Sequence, residues 1–173
     1  MNIFALYPSP IESARAHCDQ HIHKMILESA QIVSTAFHNR KYSSSWLYKP
    51  AYQKHPCTIW TSANNHNISW LLNLATELAS IRKELNRPTH SSSDVINYCM
   101  EYISKEFPYA TWAVADTPVF AGPAHIKYLT SLSIYEKYQM YYRYKTKMWA
   151  LDSRLMTWYN RPVPLFMDIP AVI

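Results

Sequence analysis

The sequence predicts a mainly α fold: a single helical domain over residues 1–173, built on about three long helices with extended aromatic loops and tail. Three observations predict it. Apolar residues recur near a period of 3.6 across long stretches, strand signals are weak, and capping residues or prolines bracket the periodic stretches. A length of 173 residues suits one core and leaves little room for two.

Residues 1–8 are apolar and read as extended. Ser9 can cap the helix that follows, Pro10 suits its first position, and Glu12 favours the positive end of its dipole. This first helix is expected to run from Pro10 to about Phe37 and stop at His38-Asn39-Arg40-Lys41. Cys18, Ile22, Met25, Ile26, Ile32, Val33, Ala36 and Phe37 form its core face. Residues 42–56 read as a loop, mixing Trp46, Tyr48 and Tyr52 with Lys49 and Lys54. A second long helix is expected from Thr58 or Ser62 to about Leu85, with Leu71, Leu74, Leu78 and Ile81 inward and Pro88 as its breaker. Ser92-Ser93-Asp94 caps a shorter third helix through about Ser104. Residues 106–124 hold Pro108, Pro118 and Pro123 and read as a long loop, either functional or locally ordered. A tyrosine-rich last helix spans roughly Ser131 to Leu155, followed by Thr157-Trp158-Tyr159-Asn160-Arg161 and an apolar tail.

Composition narrows the chemistry. The only glycine is Gly122, so neither a GxxxxGK[ST] phosphate loop nor a GxGxxG dinucleotide turn can exist. Three cysteines without a CxxC pair argue against a disulfide framework or a zinc ribbon and fit a reducing compartment. With no bilayer-length apolar run and no signal-peptide start, the chain reads as soluble and cytoplasmic, with no membrane partner. A net charge of +5 favours an anionic partner, DNA or a nucleotide. The 14 Tyr and 6 Trp supply rings on which bases could stack, or else an aromatic helical core.

The sharpest chemical feature is a polar stripe on the first helix: His17, His21, Lys24, Glu28, Gln31 and Thr35, spaced by threes and fours. At about 100° per residue they stay within an arc of roughly 80°. A carboxylate facing cations beside a core can be tuned for acid–base work; the plainer alternative is a solvated edge with a Lys24–Glu28 pair. A metal reading places His17 and His21 at ligand spacing, with His23, His55 and His90 in reserve, but no HExxH occurs and no metal or cofactor is expected. Two amines could form a Schiff base with a sugar C1′: Lys24, or the chain's own α-amine with its ordinary pKa of about 8.

The run Asp19-Gln20-His21 with Glu28 seven residues further on, the opening Met1-Asn2-Ile3 and the late Thr157-Trp158-Tyr159 resemble the phage pyrimidine-dimer DNA glycosylases, the endonuclease V family. The resemblance implies a DNA glycosylase with AP-lyase activity in DNA repair: an α-amine attacks the deoxyribose, and the helix glutamate assists glycosyl cleavage and β-elimination. Asn2 disfavours removal of the initiator methionine, so Met1 carries that amine, with Lys24 as runner-up; Glu28 is the acid–base group and His21 orients the site. His17, Asn2 and Gln31 are expected beside the substrate. Arg40, Lys41 and Arg161 are expected on phosphates, and Trp60, Trp158 and Tyr159 on the distorted duplex or an extruded base. Residues 88–130 have no counterpart in that resemblance, and no arginine adjoins Glu28. The alternatives are a phage enzyme acting on a free nucleotide or modified base to counter host defence, and a non-catalytic DNA-binding protein.

Overall fold

The computed structural model describes residues 1–168, which contain helices and no β-strand. The last residues of the apolar tail, 169–173, lie outside the described part. The helices are α1 (Pro10–Ala16), α2 (Asp19–Asn39), α3 (Pro56–Ala63), α4 (Asn65–Glu84), α5 (Ser93–Glu106), α6 (Ala124–Lys127) and α7 (Ile134–Leu151). The mainly α expectation holds, but the described residues form seven α-helices rather than about three. Three are long: α2, α4 and α7, at 21, 20 and 18 residues. Among the described residues, no helix is long and apolar enough to cross a membrane.

α4 packs against α1, α2, α3 and α5, and its apolar face supplies the centre of the core. Ile3 to Leu6 run buried through the interior. Trp70 donates its indole N–H to the Pro8 carbonyl, and Gln139 donates its amide to the Leu6 carbonyl, each at 2.8 Å. α7 lies over this segment and buries Tyr138 and Tyr142 completely.

Both expected continuous helices are interrupted. The first breaks at His17 and Cys18, whose ψ angles of 138° and 162° are extended. The Cys18 N–H donates to the Tyr142 hydroxyl at 3.2 Å and the Asp19 N–H to the Thr157 carbonyl at 2.8 Å. Distant parts of the chain thus satisfy donors that a helix would have paired internally. The second breaks at Asn64, whose side chain caps α4 by accepting the Asn67 N–H at 2.8 Å. The loop at 106–124 is locally ordered: it holds a short 3-10 turn at Trp112–Val114, and Asp116 accepts from both Asn64 and Asn67. α7 is shorter than expected because a capping box of Ser133 and Glu136 starts it and Asp152 ends it.

Three helices end in the same turn. At the ends of α2, α4 and α7, Lys41, Asn86 and Ser153 adopt left-handed φ angles of 61°, 53° and 57°. The N–H groups of Tyr42, Arg87 and Arg154 then reach back to the carbonyls of Phe37, Arg82 and Trp149. This is the Schellman arrangement, with non-glycine residues at the position glycine usually takes. It folds Arg87 and Arg154 back beside their own helices, where both come to line cavities.

Candidate functional site

The start of the chain is fixed by Asn2. Its Oδ1 accepts the N–H groups of Ile3 and Phe4 at 2.8 and 3.0 Å, and its Nδ2 donates to the Ala121 carbonyl at 2.6 Å. Its backbone N–H donates to Oε2 of Glu28 at 2.7 Å. Phe4 sits at φ 39°, a conformation that costs a bulky residue about 1–3 kcal/mol. Its ring stacks on His21 with centroids 4.7 Å apart. Gly122 allows the loop segment carrying Ala121 to approach, since a Cβ there would lie 2.5 Å from Phe120 Cζ and 3.1 Å from Tyr141 Cδ1.

Glu28 is largely sheltered, with a side chain 12% exposed, and Lys24 Nζ lies 3.6 Å from its Oε1. Peptide geometry keeps the Met1 amine no more than about 6.5 Å from Glu28 Oε2, since adjacent backbone nitrogens are under about 4 Å apart. His55 feels both groups: burial and then the α-amino group hold its pKa below the ordinary value, while Glu28 opposes them. The amine and the carboxylate therefore share one neighbourhood.

Lys24, the partner of Glu28, also lines a groove of about 430 Å³ with His21, Lys145, Trp149 and Arg154, while Met1 and Glu28 themselves are not part of its wall. Lys145 is half-buried, its Nζ 5.1 Å from the Trp149 ring, 5.6 Å from Tyr141 and 5.8 Å from Phe4. The three ring faces hold the cation while burial, and next Lys24, lower its pKa. Arg154 covers the same Trp149 ring at 5.3 Å. His21 is buried and held well below its usual pKa by desolvation and then by His17, so it is a neutral imidazole. The Cys18 N–H donates to the Tyr142 hydroxyl, which lies 2.6 Å from His21 Nδ1.

No family model, no curated protein and no solved structure matches this chain.

Of the residues expected from sequence, the fold gathers Met1, His21, Lys24 and Glu28, with Gln31 half-buried one turn beyond. Others are corrected. His17 ends α1 and is fully buried, with Nδ1 2.6 Å from the Ser13 carbonyl and no partner for Nε2, so it lines the core behind His21. Asn2 spends its side-chain amide and its backbone N–H on the protein and positions the chain end instead of touching substrate. Trp60 is 5% exposed and packs edge-on against Trp70, which removes it as a base-stacking residue. Arg40 and Lys41 are exposed, but they lie about 18 Å or more along α2 from Glu28. Arg40 is engaged with Asn65. Among the described residues no three His, Cys, Asp or Glu side chains gather as a metal site requires; His23 faces His90 instead.

Two of the motifs that carried the family resemblance meet. Asp19 Oδ2 accepts the Thr157 hydroxyl at 3.0 Å and the Tyr159 N–H at 2.7 Å, and Oδ1 accepts from Arg161 at 2.7 Å. Gln20 exchanges hydrogen bonds with Thr157, and Trp158 donates its indole N–H to the Ala16 carbonyl. Arg161 also donates to the carbonyls of Arg15 and His17. Trp158 and Arg161 are thus a clasp over the α1–α2 break, a correction to their expected place on DNA. Tyr159 keeps an exposed ring.

Lys145, Trp149, Tyr141 and Phe4 were not expected at the site. Tyr141, Lys145 and Trp149 are spaced by four on α7, one stripe beside the buried pair Tyr138 and Tyr142. That spacing was visible in the sequence; that it faces α2 was not.

Proposed function

We propose that this chain is a DNA glycosylase with AP-lyase activity, distantly related to the endonuclease V family and working in the cytoplasm of a host cell. One observation carries the reading: a sheltered carboxylate, Glu28, hydrogen-bonded to the first peptide N–H and so within reach of the α-amine. The neutral Met1 amine attacks C1′ of a damaged or modified nucleotide, the C1′–N bond breaks, and the base leaves with a proton. The departing base takes its proton from the attacking nitrogen; the ring oxygen then leaves C1′ with the bonding pair, takes a proton from water, and a protonated imine remains. Glu28 takes a proton from C2′, the C3′–O bond breaks, and the 3′ phosphate departs. Lys24, Lys145 and Arg154 would meet the phosphates of the strand, and Trp149 supplies a flat face for it. Neutral His21 orients the sugar.

The test is borohydride trapping on abasic duplex DNA, with the adduct mapped by peptide mass. A covalent adduct on the N-terminal peptide is expected, and Glu28→Gln should slow its turnover by about 10²–10⁴-fold. An adduct on the Lys24 peptide moves the nucleophile, and none at all overturns the lyase mechanism. The groove's volume, about 430 Å³, suits a second reading, an enzyme acting on a free nucleotide. That reading requires DNA affinity nearly independent of salt, whereas strand binding loses affinity steeply as counterions are released.

A further inference from the structure

A larger cavity, about 650 Å³, opens on the other side of α2, between its first turns, the end of α4 and residues 159–161. Asp19, Ile22 and His23 face it, roughly 180° around the helix from His21, Lys24 and Glu28. Its charges do not balance internally. Both acids in its wall are already paired, Asp19 with Arg161 at 2.7 Å and Glu84 with Arg15 through two bonds of 2.8 Å. Arg82 spends only Nε, on the Pro88 carbonyl at 2.7 Å, and Arg87 is exposed. Among the described residues neither guanidinium meets a carboxylate. The Schellman turn at Asn86 fixes the two together, since the Arg87 N–H donates to the Arg82 carbonyl at 3.1 Å.

His23 completes the wall, and His90 backs it from outside the lining. The rings of His23 and His90 lie 4.6 Å apart, and His90 Nδ1 accepts the Ser92 N–H at 3.0 Å, which leaves its hydrogen on Nε2. The exposed ring of Tyr159 and the Pro88 ring add flat surface at the rim.

We propose that this cavity binds a phosphate ester, gripped by Arg82 and Arg87 with His23 as a further donor. Two guanidinium forks and an imidazole N–H match the several oxygens of a phosphate, and the excess positive charge has no internal acceptor to satisfy it. The volume falls in the range of small-molecule sites, and Tyr159 can stack on a base attached to the phosphate. The ester could come from a free nucleotide or from a nucleic-acid strand; the recognition chemistry is the same. The site stands whether or not the amine near Glu28 does chemistry.

The experiment titrates the full chain with pyrophosphate, with deoxyadenosine monophosphate and with a short single-stranded oligonucleotide, following the ring resonances of His23 and His90 and the heat of binding. Shifts in His23 on addition of phosphate are expected, with affinity reduced at least about tenfold in Arg87→Gln. Arg87 is exposed and its side chain makes no hydrogen bond or ion pair among the described residues, so this variant should keep its native circular dichroism. At saturating abasic DNA it should also keep the borohydride adduct, which separates this site from the one at Glu28. Tighter binding of the monophosphate than of the oligonucleotide assigns a free ester. Preference for the oligonucleotide, with a salt slope reduced by about one in Arg87→Gln, assigns a strand phosphate. If none of the three probes moves His23, or if Arg87→Gln and Arg82→Gln leave affinity unchanged, the proposal is overturned.

Discussion

The backbone N–H of Asn2 donates to Oε2 of Glu28 across 2.7 Å, tying the first peptide of the chain to a carboxylate in the middle of α2. The bond places the α-amine by covalent geometry alone, so anything that lengthens the chain ahead of Met1 displaces it. An uncleaved Gly-Ser extension, verified by intact mass, should abolish the borohydride adduct while leaving circular dichroism and Tm close to wild type. Trapping at wild-type yield would transfer the nucleophile to Lys24 or Lys145.

Asp19 accepts three hydrogen bonds from the segment 157–161, one of them from Arg161, whose side chain is 9% exposed. Asp19→Ala leaves that guanidinium sheltered without its carboxylate. Breaking such a pair should cost about 3 kcal/mol, read from urea denaturation. Hydrogen exchange should show the segment 155–161 opening before the rest. A loss under about 0.5 kcal/mol would mean the clasp is a surface contact only.

Burial holds the pKa of His17 down to about 4 against an ordinary 6.5, and His21 is depressed in the same direction. Between those values the unfolded chain binds a proton that the folded chain refuses. Stability is therefore complete above about pH 6.5 and falls as the pH drops towards 4, with His17 alone accounting for roughly 3 kcal/mol. Urea midpoints measured from pH 7.5 to 4.5 should decline accordingly. His17→Gln should be less stable than wild type at pH 7.5 yet show a flatter profile.

Lys41 holds a left-handed φ of 61° at the end of α2, a conformation costly for any residue with a Cβ. Lys41→Gly should stabilise the protein by about 0.5–1 kcal/mol, seen as a higher urea midpoint at unchanged m value. A destabilised Lys41→Gly would show that the lysine side chain contributes more than its backbone strain costs.

Helical periodicity alone determined the class of this fold and the inward face of α2, because burial of an apolar stripe depends on spacing within one segment. Cys18, Ile22, Met25, Ile26, Ile32, Val33, Ala36 and Phe37 are all buried as their period required. The grouping of His21, Lys24 and Glu28 was legible for the same reason. Only tertiary structure decided where the helices break, since the partners at the first break are Tyr142 and Thr157, more than a hundred residues away. It also decided that Trp60, Trp158 and Arg161 serve the core and the clasp, and that Lys145 and Trp149 line the groove instead. An aromatic or an arginine fits an interior as readily as a surface, and its own neighbours in sequence do not say which side chain will meet it across the fold.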